Sequence, residues 1–145
     1  MNHKRSNRLR RAEQGFTLLE VLIVVIILGL LAALVTPKLF GTLGKAKSQV
    51  AKTQIELVAG ALDRYRLDVG NYPATADGLA ALIEQPAGAV GWAGPYLKKG
   101  VPKDPWDNDY QYASPGQHGD YDLYSLGRDK AEGGEDEDAD VVSWQ

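Results

Sequence analysis

The hydrophobic pattern of the chain begins with twenty residues, 16–35, in which only Thr17, Glu20 and Gly29 interrupt Leu, Ile, Val, Ala and Phe. Twenty helical residues at about 1.5 Å each reach roughly 30 Å, the thickness of the hydrocarbon core of a bilayer. The run therefore predicts a transmembrane helix that begins near Phe16. It also places the carboxylate of Glu20 near the entrance of that helix.

The pattern changes after Val35. Thr36-Pro37 predicts a kink or a break, because proline removes a helical hydrogen bond and clashes with the preceding turn. Apolar residues then recur at steps of three and four, at Ile55, Val58, Leu62, Tyr65 and Val69. This stripe favours a helix packed on a small sheet over a coiled-coil seam, since five positions are too few for sustained heptads. Gly70-Asn71 predicts the end of the helix.

The remaining sequence predicts short elements. Residues 75–84 are expected to form a short helix that Pro86 ends, and residues 86–105 an irregular connection rich in Gly and Pro. Three segments read as strands: 108–113, 121–126 and 141–144. A helix followed by strands predicts an α+β domain, with a long kinked N-terminal helix packed on a small antiparallel sheet.

Charge is distributed unevenly along the chain. Residues 1–15 contain five basic residues against Glu13 alone, although the whole chain has a net charge of −3. A basic leader is expected to stay in the cytoplasm and the acidic remainder to lie on the far side of the membrane. The acidic domain argues against nucleic-acid binding.

The leader differs from an ordinary secretory signal, because its apolar run is longer and no Ala-x-Ala site follows it. The small residue, Gly15, precedes the run. A cut between Gly15 and Phe16 would leave the helix on the mature protein and create an amine on Phe16. That amine could pair with Glu20 of its own or a neighbouring helix and set the register between subunits. The alternative is a Glu20 merely solvated among lipid headgroups.

A loop rich in glycine and acidic residues follows the second predicted strand. Seven carboxylates lie between Leu126 and Val141, at Asp129, Glu132, Glu135, Asp136, Glu137, Asp138 and Asp140. Calcium takes six to eight oxygen ligands from such side chains and from backbone carbonyls. No histidine or cysteine lies in the loop, which disfavours zinc, and the spacing is not that of an EF-hand. The residues alone leave open a calcium site or a solvated acidic loop.

The segment Arg10-Arg11-Ala12-Glu13-Gln14-Gly15-Phe16-Thr17-Leu18-Leu19-Glu20 resembles the class III signal of type IV pilin-like proteins. The resemblance implies that a prepilin peptidase cuts between Gly15 and Phe16 and methylates the amine of Phe16. It also implies that Glu20 guides assembly.

Later segments resemble the major pseudopilins of type II secretion systems. They include Asp104-Pro105-Trp106, Ser114-Pro115-Gly116-Gln117-His118-Gly119, Ser125-Leu126-Gly127-Arg128-Asp129 and Asp140-Val141-Val142-Ser143-Trp144. The resemblance implies a calcium ion instead of a disulfide, which fits a chain without cysteine. The side chains that match the family's ligands are Asp129 and Asp140, with Asp138 a weaker match. The carbonyls of Leu126 and Ala131 would complete the site.

The resemblance implies four segments: a removed leader (1–15), a transmembrane and filament-core helix (16–36), an amphipathic helix (37–70) and a periplasmic head (71–145) with its calcium loop (126–140). The implied function is a non-enzymatic filament subunit, anchored in the bacterial inner membrane before it joins the periplasmic pseudopilus. That filament drives folded exoproteins across the outer membrane.

The implied partners are copies of the same chain, minor pseudopilins, prepilin peptidase, and the inner-membrane platform and ATPase. We also expect residues 29–37 to lose helix in the filament. Two alternatives stay open, a type IV pilin of a surface fibre and a membrane-tethered calcium-binding module. His118 has no catalytic partner set and is expected to be structural.

Overall fold

The computed structural model describes residues 16–145, without the side chains of residues 35–40. The predicted leader, and with it Gly15 and the bond to be cut, lies outside the described residues. The chain divides into two compact units at Lys38 and Leu39. The elements are a helix α1 (Leu18–Val69), a 3₁₀ helix (Gly78–Leu82), and strands β1 (Gln111–Ala113), β2 (Asp122–Ser125) and β3 (Val141–Val142).

Helix α1 begins at a side-chain cap. The hydroxyl oxygen of Thr17 accepts a hydrogen bond of 3.2 Å from the backbone N–H of Glu20. Glu20 lies in the first turn, where a carboxylate favours the exposed N–H groups of the helix. The large apolar side chains between Phe16 and Leu34 are 48% to 90% exposed.

The helix continues through Pro37, so Thr36-Pro37 does not break it, and the predicted kink stays a prediction. Proline removes one hydrogen bond, but the turns on either side keep theirs. Residues 16–36 are predicted above to cross a membrane; within the described residues, no helix combines the length and apolar character that crossing requires.

The predicted end of the helix is confirmed. Gly70 has a φ of +97° and donates its N–H to the carbonyl of Arg66 at 2.8 Å, which is a glycine C-cap.

The core of the second unit is built on the predicted stripe. Ile55, Val58, Leu62 and Tyr65 are at most 3% exposed, and Val69 is partly buried. They pack in one cluster with Leu82 of the 3₁₀ helix, Leu97 of the irregular connection, Tyr110 directly before β1 and Leu123 of β2. The prediction of a helix packed on a small sheet is confirmed.

The sheet has three antiparallel strands in the order β1-β2-β3, with Tyr112 opposite Leu123 and Ser125 opposite Val141. All three strands are shorter than predicted. Residues 108–110 do not join β1, because Asn108 exchanges backbone and side-chain hydrogen bonds with Asp104 instead. The short helix is also shorter than predicted: it covers Gly78–Leu82 instead of residues 75–84.

Candidate functional site

The acidic loop starts from a buried polar network at the end of β2. Asp104 is 4% exposed, and one of its oxygens accepts N–H bonds from Trp106 (3.0 Å) and Asn108 (2.7 Å). The other oxygen accepts the hydroxyl hydrogen of Ser125, which is fully buried. The Ser125 oxygen in turn accepts the N–H of Gly127 at 3.1 Å. This network fixes the start of the loop, at Gly127, to the core.

The two ends of the loop are held close together at Gly127. Its φ is +67°, and its carbonyl accepts a hydrogen bond from the Asn108 side chain at 3.0 Å. A methyl group at Gly127 would lie 2.9 Å from the carbonyl oxygens of Glu137 and Ala139. The N–H of Arg128 donates to the same Glu137 carbonyl at 2.9 Å. Only glycine permits this approach of the two arms.

Arg128 neutralises two of the seven acids. Its guanidinium donates to both oxygens of Asp138, at 2.9 and 3.0 Å, and to Glu137 at 3.1 Å. The hydrogen bonds and charge of Asp138 raise the pKa of Arg128 further. Because both Asp138 oxygens are engaged with a cationic side chain, Asp138 remains the weakest of the predicted ligands.

Asp129 and Asp140 each accept a backbone N–H of the loop. Asp129 accepts the N–H of Ala131 at 3.1 Å, and Asp140 accepts the N–H of Gly133 at 2.9 Å. The second oxygen of Asp140 is buried without a hydrogen-bond partner. A buried carboxylate oxygen without a donor is costly, so it has the character of a ligand atom.

No group of three or more His, Cys, Asp or Glu side chains within residues 16–145 is arranged to hold a metal ion. A cation in this loop would therefore depend on backbone carbonyls as well as on Asp129 and Asp140. Leu126 is half-buried and Ala131 is exposed. The left-handed conformations at Gly133 (φ +91°) and Gly134 (φ +85°) show how tightly the backbone turns here.

His118 has structural contacts. Its ring stacks on Trp144 at 4.0 Å between centroids, and its Nδ1 lies 3.1 Å from Asp122. Burial by itself raises the pKa of Asp122, but hydrogen bonds from Gln117 and His118 lower it below its usual value. These contacts tie the hairpin loop between β1 and β2 to the C-terminal residues.

The two N-terminal site residues are exposed. Phe16 is 81% exposed, and Glu20 faces solvent in the first turn of α1. No side chain among the described residues pairs with the Glu20 carboxylate. The geometry therefore leaves Glu20 available to a group from outside the described chain.

Sequence reasoning assigned no role to Asp104, Asn108 or Ser125, nor to the side chains of Arg128 and Glu137. One signal was available, since an aspartate directly before proline commonly caps a turn through its own side chain. The partners of Arg128 and Glu137 carried no signal, because the loop contains seven carboxylates and nothing in their order says which ones are paired.

Two family models match most of the chain. Residues 10–36 match the prokaryotic N-terminal methylation motif, and residues 38–144 match the family of type II secretion system protein G. The type II secretion system core protein G of Pseudomonas aeruginosa is 51% identical, over 93% of this chain and 97% of its own length. The Vibrio cholerae protein of the same name is 49% identical, over 92% and 93%.

A solved structure supports the same assignment. The crystal structure of the major pseudopilin from the type 2 secretion system of enterohaemorrhagic Escherichia coli matches with a TM-score of 0.65 and 36% identity, over 74% of this chain and 95% of its own. These matches confirm the resemblance described from the sequence and favour it over a surface-fibre pilin or a tethered calcium-binding module. The chain belongs to the type II secretion system protein G family and is a major pseudopilin, a structural subunit of that system.

Proposed function

We propose that the chain is made as a precursor in the bacterial inner membrane and is cut by prepilin peptidase between Gly15 and Phe16. The methylated amine of Phe16 then pairs with Glu20 of a neighbouring copy as the chains polymerise into the periplasmic pseudopilus. The observation that carries this proposal is Glu20 itself. It is an exposed carboxylate in the first turn of α1, within the matched methylation motif and without a partner among the described residues.

The apolar surface of residues 16–34 supports an anchored precursor. Exposed apolar area of this extent is unfavourable in water and must be covered by lipid or by other chains. Lipid covers it before cleavage, with the basic leader in the cytoplasm and the head in the periplasm. Neighbouring helices cover it in the filament. The platform and ATPase of the secretion system drive this transfer, and minor pseudopilins are further partners in the assembly.

The assembly proposal has a direct test. N-terminal mass spectrometry of the mature protein should show a chain that begins at Phe16 and carries one extra methyl group. Glu20→Ala should abolish filament formation on overexpression, while Glu84→Ala, which removes an exposed carboxylate from the head, should leave it intact. Filaments formed equally by both variants would contradict the role given to Glu20.

We also propose that the acidic loop binds one calcium ion. Asp129 and Asp140 would supply carboxylate oxygens, with the carbonyls of Leu126 and Ala131 and, at most weakly, Asp138. The support is the buried oxygen of Asp140 that lacks a partner, together with an oxygen-only donor set that suits a hard cation. Bound calcium would offset the mutual repulsion of the loop carboxylates and hold the loop closed.

Thermal unfolding of the full chain in detergent micelles tests the calcium proposal. Calcium at 100 times its dissociation constant should stabilise the native state by about 2.7 kcal/mol, and EDTA should remove the gain. Asp140→Asn and Asp129→Asn should abolish the response, whereas Glu135→Gln removes a charge from an exposed acid of the same loop and should keep it. An unchanged melting temperature on adding EDTA would refute a bound calcium.

A further inference from the structure

Glu137 connects the acidic loop to helix α1 at a single glycine. A methyl group at Gly44 would lie 2.8 Å from the Glu137 Cγ and 3.7 Å from its backbone nitrogen. Gly44 is buried although its neighbours in the helix, Leu43 and Lys45, are exposed. The missing side chain therefore forms a notch, and the stem of Glu137 fills it.

The carboxylate of Glu137 is held between two cationic side chains. Its Oε2 accepts a hydrogen bond from Arg128 at 3.1 Å, within the loop. Its Oε1 lies 4.0 Å from the ammonium of Lys47 on the helix and is buried without a hydrogen bond. The side chain is 15% exposed, so these charges are screened less than those of a surface pair. Glu137 is thus the acid of the loop with charge partners on both sides of the junction between loop and helix.

The position of the glycine requires an explanation, because glycine inside a helix weakens it relative to alanine. Gly41, one turn earlier, provides a comparison within the same helix. Nothing lies within 4 Å of a methyl group at Gly41, so no contact in this chain requires glycine there. At Gly44 the same substitution meets the middle of the Glu137 side chain, which the loop backbone holds in place.

We propose that Glu137 is the positioning residue that fastens the acidic loop to the helix, with Gly44 as its socket and Lys47 and Arg128 as its charge partners. Whatever orders the loop then also secures the helix around residues 44–48. If the loop binds calcium as proposed above, the ion also acts on the helix through Glu137. The contact itself does not depend on the ion.

A double-mutant cycle in the full chain, in detergent micelles, tests the socket. Gly41→Ala should raise the melting temperature by about 4 °C, through helix propensity alone, with or without Glu137→Ala. Gly44→Ala should lower it in the native background. In the Glu137→Ala background the same substitution should raise it, as Gly41→Ala does. The sign change is the result expected of a side chain in the socket.

The opposite result is equally clear. If Gly44→Ala raises the melting temperature in the native background as much as Gly41→Ala does, the socket is refuted. Because the double variant regains stability, a poorly folded Gly44→Ala single variant would not obscure the outcome.

Hydrogen exchange of the helix amides tests whether the charge of Glu137 stabilises the helix around residues 44–48. Glu137→Gln keeps the shape of the side chain and removes its charge, and it should raise exchange rates at residues 44–48 several-fold. Glu135→Gln removes the same charge from an exposed acid and should not. Equal exchange rates in the two variants would refute the role of the Glu137 charge and its contacts with Lys47 and Arg128.

The two proposals fail separately. A melting temperature insensitive to EDTA, with the sign change retained, would remove calcium and leave the socket in place. A calcium response without the sign change would do the reverse.

Discussion

The hydroxyl of Ser125 joins the buried Asp104 carboxylate to the backbone of Gly127, and its removal gives a quantitative prediction. Ser125→Ala takes the hydrogen-bond donor from one oxygen of the buried Asp104 carboxylate and the acceptor from the buried N–H of Gly127. The other Asp104 oxygen keeps its two N–H donors. The substitution therefore leaves one charged acceptor and one neutral donor unsatisfied, with almost no change in volume.

The magnitude follows from these two losses. A hydrogen bond to a charged group contributes about 1.5–3 kcal/mol, and a buried donor left unpaired costs about 1–3 kcal/mol. Because the groups share one site and can relax together, we expect a total loss of roughly 3 kcal/mol rather than the full sum. That is a large part of the 5–15 kcal/mol that typically separates folded and unfolded domains.

Urea unfolding of the full chain in detergent measures this loss. Tryptophan fluorescence reports on the second unit alone, since all three tryptophans, Trp92, Trp106 and Trp144, lie in it. Ser114→Ala is the matched control, because the hydrogen bond that its hydroxyl donates to the Asp120 carbonyl is exposed, and it should cost less than about 1 kcal/mol. A Ser125→Ala loss no larger than the control would refute the role assigned to the buried network.

Three further outcomes are expected. Gly127→Ala should cost roughly 2–4 kcal/mol in the same urea assay, from its positive φ and the close backbone of the opposite arm, while Gly119→Ala, with open space around it, should be nearly neutral. Burial raises the pKa of Tyr112 and of Tyr121 to about 12, with nearby acids adding to the effect at Tyr121. Each then favours the folded state below pH 10 and loses that contribution between about pH 10 and 12, so ultraviolet titration should show delayed phenolate formation, coupled to unfolding. The pKa of Asp122 is lower in the folded state than in the unfolded state, so the Asp122 carboxylate stabilises the fold at pH values above the unfolded pKa. That stabilisation is lost as the pH falls through the lower, folded pKa. Acid unfolding should therefore be less steep in Asp122→Asn, and an identical acid transition would contradict this.

The sequence by itself determined the buried face and the end of α1, and the functional class of the protein. The apolar stripe from Ile55 to Val69 fixed which face of α1 is buried, because a helix repeats every 3.6 residues and only one set of positions can face the core. The cap at Gly70 followed from the conformational freedom of glycine. The motif around Gly15, Phe16 and Glu20 identified the class, since leader charge, glycine, carboxylate and apolar run are all local features of the chain.

Only the tertiary structure decided the interior of the head. Strands β1 and β2 are short because Asp104 hydrogen-bonds to the backbone of Asn108 and because Gly127 turns the chain away after β2. The Gly127 carbonyl is held by the side chain of Asn108, which lies 19 residues earlier in the sequence. Composition does not show which acids of the loop are unpaired. Arg128 pairs with Asp138 and Lys47 lies beside Glu137 only because the fold brings them together. Ion pairs depend on distance in space, and a loop of seven similar carboxylates carries no local pattern that specifies those distances.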